Sequence, residues 1–280
     1  MDNLPSHLIK ARQENKLIPL VGAGVSMSLK DAEGKRLFPS WIELLQYAAD
    51  ALENEGEGKL AKGIRATVDL EDFQQAAAYA RKGLQGTLWS KFFRNHFGEP
   101  LKRIADESLS LPKAIWDIGN RIVTLNYDKV LYKACPERDQ LKELDNSNAS
   151  ELADFKRNDF SEPAVWHLHG RVDNISTLIF TPKSYSKLYA ETYQAALNVL
   201  KGLCRDNILL FIGCSLEDAE LLQEMDKQHK LFDGNTGRHY ALVREKNKAE
   251  IELKTKGLPL RLLTFADFGA PSHHYWSWYG

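Results

Sequence analysis

The sequence contains few cysteines, and none of them forms a metal-binding or redox pair. Only Cys135, Cys204 and Cys214 occur among the 280 residues, and no Cys-x-x-Cys pair is present. A zinc site of four cysteines therefore cannot be built. A few cysteines without a pattern are typical of proteins in a reducing compartment, so we expect a cytoplasmic localisation.

Long apolar runs and an excess of one charge are also absent. No stretch approaches the ~18 consecutive apolar residues that span a bilayer. The N-terminal stretch 1–16 is polar and lacks the apolar centre of a signal peptide, so no membrane association is expected. Lys and Arg total 37 against 38 for Asp and Glu, so the charge does not indicate direct nucleic-acid binding.

Short apolar runs alternate with longer helical patterns along the chain. The runs are mostly continuous, as in strands that are buried on both faces of a sheet. Strands that alternate with helices predict an α/β fold with a doubly wound, mostly parallel, Rossmann-like sheet. The predicted strands are 17–21, 121–124, 164–167, 177–180, 208–212, 239–243 and 260–265.

The stretch between the first two predicted strands is much longer than one crossover helix requires. We infer a helical insertion after the first strand, at about 40–117, which begins with a capping box formed by Ser40 and Glu43. The polar stretch 136–162 is expected to be a surface loop or a ragged helix. Further helices are predicted at 71–84, 85–97, 182–203, 215–232 and 246–257. We expect a single domain of residues 1–280, with a core at about 15–35, 118–135 and 163–266 and a C-terminal tail at 267–280.

The residues directly after each strand deserve attention, because parallel sheets bind ligands at the carboxyl ends of their strands. The first strand is followed by GAGVS (22–26). A glycine turn of this kind lets a phosphate approach the backbone N–H groups at the start of the following helix. The motif is not Gly-x-Gly-x-x-Gly, because position 27 is Met, and it lacks the lysine of a P-loop. A tight turn that binds nothing fits the same residues equally well.

Asn126 and Asp128 follow the second predicted strand. A carboxamide and a carboxylate two residues apart can both be directed into a cleft. Alternatively, Asp128 caps the short helix that follows.

His167 is the last residue of the strand predicted at 164–167, and His169 follows it. The two side chains point the same way if the chain stays extended. Two histidines at this spacing can bind a metal, but no third ligand is evident. His169, beside Gly170, is therefore the better candidate for a general base.

Gly213, Cys214 and Ser215 follow the strand at 208–212. Gly213 permits close approach of a ligand, and Ser215 can either bond a ribose or cap the next helix. We interpret Cys214 as a small buried residue, since nothing in the sequence indicates a thiol of lowered pKa.

Together, GAGVS (22–26), TLNYD (124–128), HLHG (167–170) and IGCSLED (212–218) resemble the motifs of the sirtuin family in the same order. Sirtuins place a Gly-Ala-Gly turn, a Thr-Gln-Asn-x-Asp motif, a His-Gly and a Gly-Thr/Ser-Ser turn around an NAD pocket. The resemblance covers about 15–265.

More specifically, the chain resembles the sirtuin-like domains of bacterial antiphage defence systems. The segment FPSWIELL (38–45), the Asn-Tyr-Asp at 126–128 and the spacing from Thr181 to Tyr185 match their pattern. The chain departs from protein-deacylating sirtuins because it has no zinc-ribbon cysteines and no Gly-Ile-Pro-Asp-Phe-Arg segment. The resemblance therefore implies hydrolysis of NAD+ to nicotinamide and ADP-ribose, with NAD+ as the substrate and no metal.

The resemblance also implies roles for individual residues. Asn126 orients a water or the ribose hydroxyls, and His169 is the base, so these two are the catalytic residues. Asp128 places the nicotinamide end or supports its loop. The expected contacts to the diphosphate are Gly22, Ala23, Gly24 and Ser26, and those to the adenosine ribose or phosphate are Gly213 and Ser215.

An NAD+ hydrolase without control would kill its cell, so the resemblance implies a regulated, toxic effector of abortive infection. The expected regulators are a separate sensor protein, a nucleotide signal, or homo- or hetero-oligomerisation. The aromatic stretch YWSWY (275–279) is a candidate docking patch, unless it packs on its own core.

Two other functions remain open. One is an NAD-dependent protein deacylase or ADP-ribosyltransferase. The other is a non-catalytic sensor of NAD or ADP-ribose, although a binding module has no need for Asn126 and His169.

Overall fold

Seven parallel strands form one sheet in the computed structural model, which describes residues 4–266 of the chain. The strands are β1 (Leu17–Val21), β2 (Arg121–Thr124), β3 (Lys142–Asp145), β4 (Ala164–His167), β5 (Ile208–Ile212), β6 (His239–Arg244) and β7 (Leu260–Phe265). Their order is β3-β4-β2-β1-β5-β6-β7, and each neighbouring pair is parallel. The predicted Rossmann-like α/β fold is confirmed.

Helices cover both sides of this sheet. The α-helices are α1 (Ser6–Gln13), α2 (Ala23–Met27), α3 (Trp41–Asn54), α4 (Gly58–Asp69), α5 (Phe73–Gly83), α6 (Gly86–Phe93), α7 (Ser110–Trp116), α8 (Val130–Ala134), α9 (Ala149–Arg157), α10 (Pro182–Ser186), α11 (Gln194–Asp206), α12 (Ala219–Leu231) and α13 (Lys248–Lys254). Short π-helical turns lie at Arg94–Gly98 and Lys187–Glu191, and 3-10 turns lie at Pro100–Arg103, Asp106–Leu109, Ile175–Thr177 and Glu245–Asn247. Within residues 4–266, no helix is both long and apolar enough to cross a bilayer.

Apolar side chains are buried on both faces of the sheet. In β1, Leu17 and Val21 belong to one buried cluster, whereas Ile18 and Leu20 belong to the other. The first cluster is completed by α3 to α7, and the second by α9, α11 and α12. This two-sided burial explains why the strands of the sheet centre are continuous apolar runs.

A helical insertion separates β1 from β2, as predicted. Its first long helix, α3, starts at the predicted capping box: the N–H of Glu43 donates to the Ser40 hydroxyl (3.2 Å), and the N–H of Ser40 donates to the Glu43 carboxylate (2.7 Å). Arg36 pairs with the same carboxylate. These contacts fix the point at which the chain enters the insertion.

The strand prediction is wrong at two places. Residues 177–180 form no strand, because their backbone bonds to loop residues and not to a neighbouring strand. The N–H of Ile179 donates to the His169 carbonyl (2.8 Å), and the Tyr127 hydroxyl donates to the Ile179 carbonyl (2.7 Å). Conversely, β3 and α9 lie in the stretch expected to be a loop or a ragged helix. The strand β3, with the sequence KELD, lies at the sheet edge and lacks an apolar run. Its acidic residues are mostly buried and paired with residues of neighbouring segments, as in the pairs of Glu143 with Lys129 and of Asp145 with Arg171.

Two predicted helices also differ in their bounds. The stretch 182–203 is divided into α10, a π-helical turn and α11. The helix predicted at 215–232 begins at Ala219, with Asp218 as its N-cap. The C-terminal tail, including the candidate docking patch at 275–279, lies outside the described residues.

Arg121, at the start of β2, is buried, with 4% of its surface exposed. Its guanidinium donates to the backbone carbonyls of Asn15, Phe155 and Lys156, at distances from 2.5 to 3.2 Å. The last two carbonyls lie in the final turn of α9, where a cation also meets the negative end of the helix dipole. Burial lowers the pKa of Arg121 to about 10. The side chain thus joins β2, α9 and the loop after α1.

Replacing Arg121 by Met should lower the free energy of unfolding by roughly 2–4 kcal/mol, because buried carbonyls lose their donors. Urea denaturation measures this change. The control is Arg205→Met, since Arg205 pairs with the adjacent Asp206 at the surface and should contribute less than about 0.5 kcal/mol. Equal losses in the two variants would contradict the structural role of Arg121.

His239, the first residue of β6, is fully buried. Its Nδ1 accepts the N–H of Leu209 (3.1 Å), and its Nε2 has no hydrogen-bond partner among the described residues. Burial lowers the pKa of His239 to about 4. The folded chain therefore holds this ring neutral, whereas the unfolded chain binds a proton below about pH 6.5.

This difference predicts a loss of stability as the pH falls from about 6.5 towards 4, with a contribution of up to about 1.4 kcal/mol per pH unit. In His239→Asn the amide oxygen can still accept the Leu209 N–H, but the titration is removed. The unfolding free energies of the two proteins should converge as the pH falls through this window. Parallel pH profiles would show that His239 does not titrate as inferred.

Candidate functional site

A large cavity opens at the carboxyl ends of the strands, next to the point where the strand order reverses. From β1 the chain proceeds to β2 on one side, and it returns later to β5 on the other side. Such reversal points are where open α/β sheets bind ligands. The cavity has a volume of about 2650 Å³ and also extends beside α1, α3 and the ends of β6 and β7. It exceeds the ~300–1,000 Å³ of common small-molecule sites, so a ligand would fill only part of it.

The structure brings all the predicted site residues together around this cavity. They come from four separate turns, each at the carboxyl end of a strand. The residues are Gly22, Ala23, Gly24, Ser26, Asn126, Asp128, His169, Gly213 and Ser215.

The two glycine turns, at 22–24 and at Gly213, are in direct contact. A Cβ atom on Gly22 would lie 2.7 Å from the Gly213 carbonyl oxygen, and a Cβ atom on Gly24 would lie 2.8 Å from the same atom. Gly213 itself has φ of +68°, and a Cβ atom there would lie 2.6 Å from the Val25 nitrogen. Only glycine fits at these positions without displacing backbone.

This packing explains the glycines of the first turn without any ligand. The N–H groups of Gly22 and Gly24 are already bonded, to the carbonyls of Ile212 (2.9 Å) and Gly213 (2.8 Å). The turn is therefore tied to β5 through its own backbone. A diphosphate would have to use other groups of this turn, such as the Ala23 N–H at the start of α2.

Asn126 is held between the first two strand ends. Its amide nitrogen donates to the Gly22 carbonyl (3.1 Å) and to the Ser26 hydroxyl (3.0 Å). Its own N–H donates to the Thr124 hydroxyl (3.1 Å). Because both amide hydrogens are engaged, the amide oxygen is the part of this side chain left for a ligand.

Asp128 is buried, with 4% of its surface exposed, although it lines the cavity. Its carboxylate accepts the N–H of Val130, the first residue of α8 (2.9 Å). The N-cap of this helix is Lys129, so Asp128 is not the cap that the alternative interpretation expected. Burial raises the pKa of Asp128, and the opposing hydrogen bonds from Ser26 and Val130 do not cancel this effect. The residue therefore supports the loop that carries Asn126.

The two histidines do not point the same way, contrary to expectation. The strand ends at His167, and a turn follows in which the N–H of Gly170 donates to the His167 carbonyl (3.0 Å). Consequently His169 lines the cavity, whereas His167 is fully buried and does not line it. Within residues 4–266, no cluster of three or more His, Cys, Asp or Glu side chains could hold a metal ion.

His167 instead supports the Asn126 loop from behind. Its Nδ1 lies 3.1 Å from the Asn126 carbonyl oxygen, and its Nε2 lies 3.7 Å from a carboxylate oxygen of Glu143. Lys129 pairs with the other oxygen of Glu143 (2.7 Å). Burial raises the pKa of Glu143, but the interactions with His167 and Lys129 outweigh burial and leave that pKa below its ordinary value.

Ser215 and Cys214 follow β5 and line the cavity. Because α12 is capped by Asp218, the helix-cap interpretation of Ser215 is wrong. The Cys214 thiol is directed towards the Leu20 carbonyl oxygen (3.5 Å), and burial raises the pKa of this thiol to about 12. Cys214 is thus a poor nucleophile at neutral pH.

Sequence reasoning missed two residues that contact His169. The carboxylate of Asp218 lies 3.0 Å from the His169 Nε2, and the ring of Tyr185 lies edge-on to the imidazole at 5.4 Å. Burial and the charge of Asp218 raise the pKa of Tyr185. The acidic pair at 217–218 and the spacing from Thr181 to Tyr185 were visible in the sequence, but nothing there indicated that either Asp218 or Tyr185 contacts His169.

Aromatic side chains join the helical insertion to the site loops. The rings of Trp41 and Trp89, from the insertion, pack edge-on against Phe180, at 4.8 and 5.2 Å. Phe93 contacts both Phe180 and Tyr127. The insertion therefore walls one side of the cavity, and both Trp41 and Phe180 line it.

Comparisons with known proteins agree with this architecture. The family model "SIR2-like domain" matches residues 120–260, which is half of the chain. The "NAD(+) hydrolase ThsA" of Enterococcus faecium is 26% identical over 227 residues, which are 80% of this chain and 42% of that protein. The "NAD(+) hydrolase ThsA" of Cytobacillus dafuensis is 24% identical over 260 residues, which are 88% of this chain and 44% of that protein. The chain thus spans less than half the length of these relatives.

The turn that directs His169 into the cavity depends on Gly170. This residue has φ of +80°, and a Cβ atom on it would lie 2.3 Å from the Thr177 carbonyl oxygen. Gly34 has nearly the same φ, +79°, but a Cβ atom there would meet nothing within 4 Å. Replacing each glycine by alanine therefore distinguishes the cost of the strained dihedral, which both share, from the cost of the steric clash, which only Gly170 has.

Gly170→Ala should lower the free energy of unfolding by roughly 2–4 kcal/mol, since a clash is added to the strained dihedral. Gly34→Ala should cost only about 1 kcal/mol, from the dihedral alone. Thermal and urea unfolding of both variants check this difference. If the two variants lose equal stability, the contact between Gly170 and residue 177 is not as tight as described.

Proposed function

The chain belongs to the family of SIR2-like domains, and from this premise we propose that it hydrolyses NAD+ to nicotinamide and ADP-ribose. The observation that carries the proposal is the meeting of Asn126, His169 and both glycine turns around one cavity at the strand ends. The names of the two relatives support it.

The two glycine turns suit the phosphate end of the substrate. We assign the diphosphate to the turn at 22–26, where the Ala23 N–H at the start of α2 is the available donor. Ser26 lines the same turn, and its hydroxyl accepts from Asn126 and bonds to Asp128, so its proposed part is to hold the turn in place. Gly213 and Ser215 lie on the β5 side of the same cavity and are assigned to the adenosine ribose or its phosphate. The backbone bonds between the turns support this assignment indirectly, because they preorganise the two walls.

The bond that breaks joins the ribose C1′ to the nicotinamide nitrogen. The electron pair of this bond moves to the ring nitrogen, so the cationic ring leaves as neutral nicotinamide and positive charge develops on the ribose. Water then adds at C1′ and gives up one proton, so that NAD+ and water yield nicotinamide, ADP-ribose and a proton. The charge development resembles that of glycoside hydrolysis.

Asn126 and His169 are the proposed catalytic residues. The amide oxygen of Asn126 orients the water or a ribose hydroxyl by accepting a hydrogen bond. The imidazole of His169 takes the proton as the general base. Asp128 supports the loop at the nicotinamide end, and its carboxylate adds negative potential next to the developing cation.

We further propose that the activity is a toxic effector function in antiphage defence and that it is controlled. A hydrolase that consumes NAD+ continuously would deplete its own cell. More than half of each relative's length lies outside the match, which leaves room there for other functions. A sensor protein, a nucleotide signal or oligomerisation is the proposed trigger for this chain.

The proposal predicts that the purified chain, together with the trigger it requires, releases nicotinamide from NAD+, as measured by chromatography. It also predicts NAD+ binding, as measured by calorimetry. Asn126→Ala and His169→Ala should each reduce release by at least about 100-fold, with the fold retained. The controls are Asn54→Ala and His7→Ala, which change the same residue types at exposed positions outside the cavity.

Three other results would support a different function. Release that requires an acyl-lysine peptide would indicate a deacylase, and transfer of ADP-ribose to protein would indicate a transferase. NAD+ binding without release, unaltered in Asn126→Ala and His169→Ala, would indicate a sensor.

A further inference from the structure

Two buried polar atoms without aligned hydrogen bonds face each other at the wall of the cavity. They are the Nε2 of His169 and one carboxylate oxygen, Oδ2, of Asp218. The two atoms lie 3.0 Å apart, and the side chains are 8% and 11% exposed. The separation suits an ion pair, although the angle is not that of a hydrogen bond. In the described part of the chain, His169 is the ion-pair partner of Asp218.

The position of Asp218 is fixed by its role in α12. Its other oxygen, Oδ1, accepts the N–H of Leu221 (2.9 Å) as the N-cap of this helix. Two residues before Asp218, Leu216 adopts the left-handed region with φ of +60°. The chain turns there from β5 towards the helix. One oxygen therefore anchors the carboxylate while the other is directed at the imidazole.

Two tyrosine rings pack beside this pair. The Tyr185 ring packs edge-on against His169, and Tyr189 stacks on Tyr185 at 6.3 Å. Burial, together with the charge of Asp218, raises the pKa of both tyrosines and of Tyr127. The side chains of His169 and Asp218 are themselves mostly buried, and a charge pair that is largely withdrawn from water interacts more strongly than an exposed pair.

We infer that Asp218 is a positioning residue that holds the His169 proton on Nε2 and leaves Nδ1 as the base of the reaction. This inference rests on the proposed hydrolysis of NAD+. The Nδ1 atom makes no hydrogen bond within residues 4–266, and the residue lines the cavity, so this nitrogen is available to a water or a ribose hydroxyl. The proton passes from the oxygen to Nδ1, and the Asp218 carboxylate stabilises the imidazolium without being protonated itself. A base that is oriented by a carboxylate follows the logic of catalytic triads.

The misalignment of the pair is compatible with this role. Catalytic hydrogen bonds are often poorly aligned before substrate binds and tighten in the complex. A small rotation of the imidazole would bring the Nε2–H into line with Oδ2, because the two atoms are already at hydrogen-bond distance.

Asp218→Asn separates the charge from the helix cap, because Asn caps helices as well as Asp does. Its amide oxygen can still accept the Leu221 N–H, while the negative charge is lost. Asp218→Ser provides a second variant that also keeps a cap acceptor. The matched control is Asp226→Asn, which removes the same charge from the same helix, where Asp226 pairs with Lys230 outside the cavity.

The first measurement requires no turnover. The ring nitrogens of His169, assigned by nitrogen-15 NMR with His169→Gln as reference, should show the proton predominantly on Nε2 in the parent chain and in Asp226→Asn. Asp218→Asn and Asp218→Ser should lose this preference. Identical His169 signals in the parent chain and in both Asp218 variants would overturn the inference, whether or not the chain hydrolyses NAD+.

The second measurement is nicotinamide release. Asp218→Asn should lower kcat by roughly 10²–10⁴-fold with a smaller change in KM, whereas Asp226→Asn should retain the parent rate. If Asp218→Asn releases nicotinamide at the parent rate, the inferred role of Asp218 is overturned, while the proposed hydrolysis of NAD+ is retained. If the parent chain releases no nicotinamide even with its trigger, but shows a tautomer preference that Asp218→Asn abolishes, the proposed hydrolysis is refuted and the pairing of Asp218 with His169 is retained.

Discussion

The architecture of the cavity depends on the contact between two glycine turns at the centre of the sheet. The turn at 22–24 and Gly213 approach so closely that a single Cβ atom on either would meet backbone at under 3 Å. Two backbone hydrogen bonds lock this contact. Since β1 and β5 are neighbours at the reversal point of the strand order, the contact determines where the cavity opens and which side chains surround it.

Buried polar residues then determine what the cavity can do. Asn126 is tied to the first turn through Gly22 and Ser26, and it is supported from behind by His167 and Glu143. On the opposite wall, Asp218 faces His169 across 3.0 Å. Both proposed catalytic side chains, Asn126 and His169, thus have a partner within the protein that does not require substrate. Preorganisation of this kind is what allows fixed dipoles to stabilise a developing charge.

Much of the fold was predictable because the physical signals are local. Continuous apolar runs identified six of the seven strands, since burial on both faces leaves no polar alternation. The capping box at Ser40 placed the start of α3. The missed strand, KELD, lies at the sheet edge and has no apolar run, so its pairing with β4 is visible only in the tertiary structure. The false strand at 177–180 had the right composition, but its backbone is bonded to a loop and a tyrosine.

The sequence by itself determined which residues follow each strand, because the strands are recognisable as apolar runs and the motifs come directly after them. It therefore indicated a parallel sheet with Asn126 and His169 at the carboxyl ends of its strands, and a resemblance to sirtuins. Only the tertiary structure decided that the glycines of the first turn serve packing, that His167 and His169 are separated by a turn, and that Asp218 faces His169. The reason is physical: periodicity and capping act within a few residues, whereas these contacts join segments that become neighbours only when parallel strands align their carboxyl ends.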